Sequence, residues 1–156
     1  MVTKVLIIRF SSIGDIVLTS PVIRCLKQQA EGEAEIHYLV KKIFSPVLAA
    51  NPYISKIHTI DDKVSEAMPA LKEEQFDYVI DLHNNIRSAM VKKGLSAKGG
   101  KRGSFTVNKI NFQKWLLVNF KINRLPDVHI VDRYMETVKH FGIKNDFNKY
   151  YHGNNK

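Results

Sequence analysis

The stretch Lys4-Val-Leu-Ile-Ile-Arg-Phe-Ser-Ser-Ile-Gly-Asp15 decides the fold of this 156-residue chain. Its apolar first half is typical of a strand buried on both faces of a parallel sheet, and its second half is a short turn of small and polar residues. A helix is predicted to follow, with Ser20-Pro21 as its N-cap and first-turn pair. This order of strand, turn and helix places Asp15 at the carboxyl end of the first strand, where open α/β sheets bind ligands.

Apolar and amphipathic segments continue to alternate along the chain. The predicted strands are Lys4–Arg9, Glu35–Val40, Lys56–Thr59 and Tyr78–Leu82, and the helices between them are Pro21–Ala30, Ile43–Ala50 and Lys63–Glu74. Such alternation predicts an α/β fold, a Rossmann-like parallel sheet with helices on both faces.

The pattern is less regular after Leu82. Helices are predicted over Ile86–Leu95 and Val128–Phe141, the latter closed by Gly142, with a candidate strand at Lys101–Phe105. We therefore predict one Rossmann-like domain over residues 1–144. Residues 145–156 are predicted to be a polar tail or the start of a linker.

The bulk composition is that of an ordinary globular protein, with 44% hydrophobic and 25% charged residues. No apolar run approaches the roughly 20 residues that a membrane-spanning helix needs. The first apolar stretch is interrupted at Arg9, which argues against a secretory signal peptide. The single cysteine, Cys25, is expected to be a buried thiol in a reducing compartment, so the sequence predicts a cytoplasmic protein.

The net charge of +9 comes from one contiguous region. No acidic residue lies between Leu82 and Pro126, and the rest of the chain holds 14 basic and 15 acidic residues. The basic residues of this segment are Arg87, Lys92, Lys93, Lys98, Lys101, Arg102, Lys109, Lys114, Lys121 and Arg124. The asymmetry favours a polyanionic partner such as a phosphorylated glycolipid, a membrane surface or a nucleic acid. The alternative is a solvated basic face that only aids solubility.

The turn after the first strand is the first candidate site. Asp15, near a helix N-terminus, is expected to be ionised at neutral pH, so it can accept a proton but cannot be a resting acid. Amides and hydroxyls of Ser11, Ser12 and Gly14 could hold a phosphate or a sugar hydroxyl. The turn lacks the GxGxxG pattern and the Walker A lysine of standard nucleotide cradles. The alternative is a capping aspartate among residues that merely close a turn.

The second candidate site follows the fourth predicted strand and includes His83, Asn84 and Arg87. If both strands belong to one sheet, this turn opens on the same edge as Asp15. Arg87 suits bidentate recognition of a phosphate or carboxylate, whereas His83 alone is more often structural. Asp81, at the end of the strand, is expected to anchor the loop by hydrogen bonds. The histidines form no HExxH motif and have no cysteine partners, so no sequence motif supports a metal site.

Three segments together resemble glycosyltransferase family 9, the lipopolysaccharide heptosyltransferases. The first is Val5-Leu-Ile-Ile-Arg-Phe-Ser-Ser-Ile-Gly-Asp-Ile-Val-Leu-Thr-Ser-Pro21, the second is Phe76-Asp-Tyr-Val-Ile-Asp-Leu-His-Asn-Asn-Ile-Arg-Ser88, and the third is His129-Ile-Val-Asp-Arg-Tyr134. They occur in the family's order and cover essentially the whole chain. The first motif is fairly specific, and the other two are weak alone.

The resemblance implies the acceptor-binding, N-terminal half of a GT-B type enzyme with two Rossmann-like domains. Such enzymes transfer heptose from ADP-heptose to a phosphorylated lipid A–Kdo core, with inversion and without a metal ion or other cofactor. Asp15 matches the family's catalytic base. The residues implied to face the acceptor are Ser11, Ser12, Gly14, His83, Asn84, Arg87, Lys101 and Arg102.

The chain departs from the family pattern in length, because a full enzyme needs roughly twice as many residues and this chain supplies no donor site. It is therefore expected to be inactive alone. The resemblance also implies peripheral contact with the anionic inner-membrane surface.

The rival interpretation is a non-enzymatic basic module that binds nucleic acid or anionic lipid. Phe105, Phe112, Trp115 and Phe120 lie within the basic segment and could stack on bases. A negatively charged Asp15 in the crevice would hinder a polyanion, however, and the Ser-Ser-Ile-Gly-Asp turn would have no purpose. No nucleic-acid partner is therefore expected.

Overall fold

The computed structural model describes residues 2–96, 103–107 and 130–145. The strands are β1 (Val2–Ile8), β2 (Glu33–Lys41), β3 (Lys56–Ile60), β4 (Tyr78–Asp81) and β5 (Gly103–Thr106). The helices are α1 (Ile13–Val17), α2 (Ser20–Gln29), α3 (Ser45–Ala49), α4 (Met68–Glu74), α5 (Ile86–Ser96) and α6 (Ile130–Glu136). Single 3₁₀ turns cover Lys42–Phe44, Val64–Glu66 and Lys139–Phe141.

The five strands form one parallel sheet in the order β3-β2-β1-β4-β5. This confirms the Rossmann-like parallel sheet. The chain moves outward from β1 to one edge and then crosses back to β4, which pairs with the other side of β1. The carboxyl ends of β1 and β4 therefore lie side by side at a topological switch point, with Ile8 opposite Asp81.

Alternate residues of each strand enter two separate cores, so the sheet is covered on both faces. On one face Val5 and Ile7 pack with residues of α2 and α6, such as Leu26 and Tyr134. On the other face Leu6 and Ile8 pack in a cluster that includes Leu71 of α4 and Val91 of α5. This two-sided burial explains why β1 is an uninterrupted apolar run.

Several predicted boundaries differ from the structure. The N-cap of α2 is Thr19 rather than Ser20, and the Thr19 hydroxyl donates to the Ile16 carbonyl at 2.6 Å. The helix predicted over Lys63–Glu74 is divided into a 3₁₀ turn and α4, because Pro69 is tolerated in the first turn of a helix but not in its interior.

The helix predicted over Ile43–Ala50 is likewise divided, into the 3₁₀ turn Lys42–Phe44 and α3. Further differences lie in the segments after Leu82. Val128 and His129 of the predicted last helix lie outside the described residues, and α6 gives way to a 3₁₀ turn before Phe141. Gly142 closes that turn in the left-handed conformation, with φ 73°, as predicted. Residues 146–156 of the predicted tail, and the aromatic residues Phe112, Trp115 and Phe120 of the basic segment, also lie outside the described residues.

Candidate functional site

The two candidate turns meet at the carboxyl ends of β1 and β4. The Phe10 amide donates to His83 Nδ1 at 3.3 Å, and Arg9 Nη1 donates to the Leu82 carbonyl at 2.9 Å. The turns are thus joined by direct hydrogen bonds, as the shared-edge prediction requires. We call this part of the sheet's carboxyl edge, bordered by residues 9–15 and 82–87, the switch-point crevice.

Asp15 lies in the first turn of α1 and is held by two side chains. The Ser12 hydroxyl donates to Oδ2 at 2.8 Å, and Arg9 Nη2 lies 2.7 Å from the same oxygen. Partial burial acts to raise the pKa of Asp15, but the Ser12 hydrogen bond and the Arg9 charge outweigh it, so that the pKa is lowered overall. The side chain remains 37% exposed, so Asp15 is an ionised carboxylate within reach of solvent.

Arg9 is the main site residue that sequence reasoning missed. Its guanidinium joins the Asp15 carboxylate to the Leu82 carbonyl, and only 15% of its side chain is exposed. Its Nε is buried and has no hydrogen-bond partner among the described residues. The sequence signal that could have identified Arg9 is its position directly after an apolar strand, because this position places a positive charge at the carboxyl edge of the sheet.

Tyr134 of α6 lies beneath the same region. Burial raises the pKa of its phenol, with opposing contributions from the Arg9 and Asp15 charges. Its hydroxyl is buried and has no hydrogen-bond partner within the described part of the chain. The third motif therefore contributes a buried side chain, that of Tyr134, to the surroundings of Arg9 and Asp15.

The predicted small residues of the first turn border the crevice. Ser11 is half-buried, whereas Ser12 and Gly14 are exposed. The peptide bond between Ser11 and Ser12 is cis. A Cβ added at Gly14 would meet no atom within 4 Å, so the fold itself leaves open space above this residue.

In the second turn, Asp81 anchors the loop as expected. It is fully buried, and its Oδ1 accepts from the backbone amides of His83 and Asn84 at 3.0 and 2.7 Å. Asn84 adopts a left-handed φ of 53°, and its side-chain amide donates to the Val107 carbonyl at 2.9 Å. Because His83 Nδ1 accepts a hydrogen bond, the neutral ring carries its proton on Nε2.

The basic residues in the described part of the basic segment differ in burial and contacts. Lys92 forms an ion pair with buried Asp81 at 2.8 Å and donates to the Thr106 hydroxyl at 2.9 Å, so it stabilises the sheet edge. Arg87 is half-buried near the start of α5, and Lys93 is exposed. Lys101 and Arg102, predicted to contact a ligand, lie outside the described residues.

Exposed apolar side chains lie on the segments that follow β1, β2 and β4. Each of the three segments carries two large apolar residues four positions apart. The pairs are Ile13 and Val17, Ile43 and Val47, and Ile86 and Met90. Ile43 and Ile86 are 76% and 82% exposed, and we call this set the apolar rim. Among the described helices, none combines the length and apolar character needed to cross a bilayer.

Residues 65–154, more than half of the chain, match the model of glycosyltransferase family 9 (heptosyltransferase). The chain belongs to glycosyltransferase family 9. The match contains the second and third motifs, while the first motif, with Asp15, precedes it.

Individual members of the family are similar over most of the chain. Lipopolysaccharide heptosyltransferase 1 of Campylobacter coli is 29% identical over 128 residues, which cover 78% of this chain and 36% of that protein. Lipopolysaccharide core heptosyltransferase OpsX of Haemophilus influenzae is 25% identical over 142 residues, 88% of this chain and 40% of that protein. This chain therefore spans less than half the length of these relatives.

A solved family member shares the fold. The E. coli heptosyltransferase WaaC, determined with ADP, superposes with a TM-score of 0.68 and 20% identity, covering 94% of this chain and 50% of that one. The described sheet thus has a Rossmann-like fold that it shares with about half of this GT-B type chain.

Proposed function

We propose that this chain is the acceptor-binding half of an inverting, metal-independent heptosyltransferase of lipopolysaccharide biosynthesis. The observation that carries the proposal is the ionised Asp15 carboxylate at the β1/β4 switch point, within the motif that resembles the family's catalytic turn. The named relatives are heptosyltransferases, which supports heptose as the transferred sugar. The solved relative holds ADP, which supports ADP-heptose as the donor.

In the proposed reaction, an acceptor hydroxyl attacks the anomeric carbon of the donor. The new carbon–oxygen bond forms as the bond to ADP breaks, and ADP leaves with the electron pair. Asp15 takes the hydroxyl proton during the attack. Its lowered pKa makes it a weak base, so proton transfer must accompany bond formation rather than precede it.

The contacts of Asp15 suit this role. Arg9 and Ser12 both hold Oδ2, which fixes the direction of the carboxyl group. We assign the proton to Oδ1, because accepting it there leaves the two contacts to Oδ2 in place. Arg9 is in this account a positioning residue that keeps the carboxylate ionised and oriented.

The crevice supplies groups for an acceptor that carries phosphate and sugar hydroxyls. Hydroxyls of Ser11 and Ser12 and the open space above Gly14 border one side. His83, Asn84 and Arg87 border the other, and a guanidinium such as that of Arg87 can bind a phosphate through two parallel hydrogen bonds. Lys101 and Arg102 remain proposed contacts, outside the described residues.

We further propose a cytoplasmic location with peripheral contact at the inner membrane. The apolar rim supports this contact, because exposed isoleucines beside a site for a lipid-linked acceptor can enter the bilayer interface. The chain should sediment together with vesicles of anionic phospholipid. The double variant Ile43→Asp, Ile86→Asp should reduce the amount of chain that sediments with the vesicles severalfold. Equal sedimentation of the variant would remove the rim from this role.

The donor-binding half is proposed to lie outside this sequence, so the 156-residue chain should bind acceptor without transferring sugar. The decisive experiment uses the chain joined to a family donor domain, with ADP-heptose and a phosphorylated Kdo-type acceptor. Asp15→Asn should abolish transfer while acceptor affinity stays nearly unchanged. Asp62→Asn, at a carboxylate that is 83% exposed, is the matched control and should leave turnover intact. An Asp15→Asn protein that keeps most of its turnover would exclude Asp15 as the base.

A further inference from the structure

A second cluster of titratable side chains lies away from the crevice, toward the amino ends of the strands. The register pairs Leu6 with His37 and Leu39 with His58, so both histidines are on the sheet face covered by α4 and α5. They are only 1% and 6% exposed, respectively. The charged members of the cluster are Lys4, Glu35, Lys56 and Glu74.

The hydrogen bonds of the cluster determine which ring nitrogens carry protons. His37 Nε2 lies 2.7 Å from Glu35 Oε1, and a carboxylate only accepts, so His37 carries its proton on Nε2. In the neutral imidazole, His37 Nδ1 is therefore an acceptor, and it faces His58 Nε2 at 2.9 Å. A carboxylate that receives the far N–H of an imidazole is the usual arrangement behind a metal-bound histidine.

Glu74, the last residue of α4, brings a carboxylate to the same point. One donor atom each from His37, His58 and Glu74 lies within 4.8 Å of the other two. Ligand atoms around a tetrahedral zinc ion are about 3.3 Å apart, so closing the set requires movements of roughly 1.5 Å at most. The long Glu74 side chain, at the end of its helix, can make most of that movement.

We propose that His37 Nδ1, His58 Nε2 and the Glu74 carboxylate form a site for a divalent transition-metal ion, with Zn²⁺ as the representative ion. Glu35 orients His37 from behind. His58 moves its Nε2 proton to its own Nδ1 when the ion binds, so this tautomeric change releases no proton. The bound ion links β2, β3 and α4 and has a structural role.

The surroundings permit an ion to enter. Glu74 is held by Lys56 Nζ at 2.6 Å and Lys4 Nζ at 3.0 Å, and one ammonium group must leave. Lys56 is the one that can, because its side chain is 54% exposed and can swing into water. The Phe76 ring meets both imidazoles edge-on, with centroid distances of 5.1 and 6.2 Å, and shields the site on one side.

The donor set favours zinc over the common hard cations. Two imidazole nitrogens and one carboxylate suit Zn²⁺, whereas Mg²⁺ and Ca²⁺ prefer oxygen ligands. The site shares no residue with the crevice, so it does not depend on the proposed function.

The test is a titration of the metal-free 156-residue chain with ZnCl₂, followed by calorimetry and by the melting temperature Tm. We expect one ion per chain and a rise in Tm of about 5 °C or more at saturation. His58→Gln keeps an amide donor for His37 Nδ1 and should abolish the rise, as should Glu74→Gln. Lys56→Met removes the ammonium group that competes for Glu74 and should tighten Zn²⁺ binding about tenfold. Zn²⁺ bound to exposed histidines elsewhere on the chain would not respond to this substitution.

His140→Gln at an exposed histidine is the matched control and should leave binding unchanged, and MgCl₂ should not raise Tm. A Tm that Zn²⁺ leaves unchanged in the parent chain would overturn the proposal. A rise that survives in both His58→Gln and Glu74→Gln, or that His140→Gln removes, would also overturn it.

Discussion

The Arg9 guanidinium lies 2.7 Å from the Asp15 carboxylate and, through a different nitrogen, 2.9 Å from the Leu82 carbonyl. One partly buried cation thus connects the turn after β1 to the turn after β4. The two turns that border the crevice are held in a fixed relation by this residue, and the carboxylate proposed as the base is held with them.

Replacing Arg9 should raise the pKa of Asp15. The Arg9→Met variant removes a nearby positive charge that lowers this pKa, while the Ser12 hydrogen bond remains. The pKa can be followed by carbon NMR of the Asp15 carboxyl group. Arg9→Lys, which keeps the charge, should shift the pKa less, and an unchanged value in Arg9→Met would contradict the ion pair.

The stability contributed by Glu74 should depend on pH in the acid range. Hydrogen bonds from Lys56 and then Lys4 lower the pKa of Glu74 to about 2, from an ordinary value of 4.5. Its contribution is therefore fully present above pH 4.5 and is lost as the pH falls toward 2. In chelator-containing buffer, the difference in unfolding free energy between the parent chain and Glu74→Gln should shrink over that interval.

Glu73→Gln is the matched control for this prediction, since Glu73 is an exposed neighbour on the same helix. Its stability should follow that of the parent chain at every pH. A Glu74→Gln difference that stays constant from pH 7 to pH 2 would show that the two lysines do not stabilise the ionised carboxylate.

Gly14→Ala should separate folding from binding. The added methyl group meets no atom within 4 Å, and alanine favours a helix over glycine by about 0.5–1 kcal/mol, so the unfolding free energy should stay equal or rise. The methyl group would occupy the space proposed for the acceptor, and affinity for a phosphorylated Kdo-type acceptor should fall. Calorimetry measures both quantities, and unchanged affinity would place the acceptor elsewhere.

Lys92→Met should destabilise the fold by about 3 kcal/mol, because removing one partner leaves the buried Asp81 carboxylate without its cation. Lys93→Met, at the exposed neighbouring position, should change stability by less than about 0.5 kcal/mol. Urea unfolding of the two variants compares them directly. Similar losses of unfolding free energy in both variants would show that the Asp81–Lys92 ion pair does not stabilise the fold.

Much of the sheet could be predicted because each strand carries its own local signal. The apolar run at β1, and the turn residues after it, gave both the parallel sheet and the position of Asp15. The helix over Lys63–Glu74 was wrong in its middle because the strong apolar pattern outweighed the single Pro69. The N-cap was misplaced by one residue because Thr19 and Ser20 are both good capping residues and only the buried contact of Thr19 distinguishes them.

The contacts that join distant segments could not be predicted. Arg9 and Leu82 meet only because β4 pairs with β1, and His37 and His58 face each other only because of the β2–β3 register. Spacing along one strand says which face a residue occupies, but not which residue of another strand lies opposite. The basic segment showed the same limit, since Lys92 looked like a surface cation until Asp81 was placed beside it.

The most direct test of the account is an NMR titration of the 156-residue chain with a phosphorylated Kdo-type acceptor and, separately, with ADP-heptose, each at two salt concentrations. We predict weak, salt-sensitive acceptor binding with shifts centred on Gly14, Asp15 and Arg87, and little response to ADP-heptose. Tight binding of ADP-heptose, or a response to neither compound, would contradict the assignment of this domain as the acceptor half.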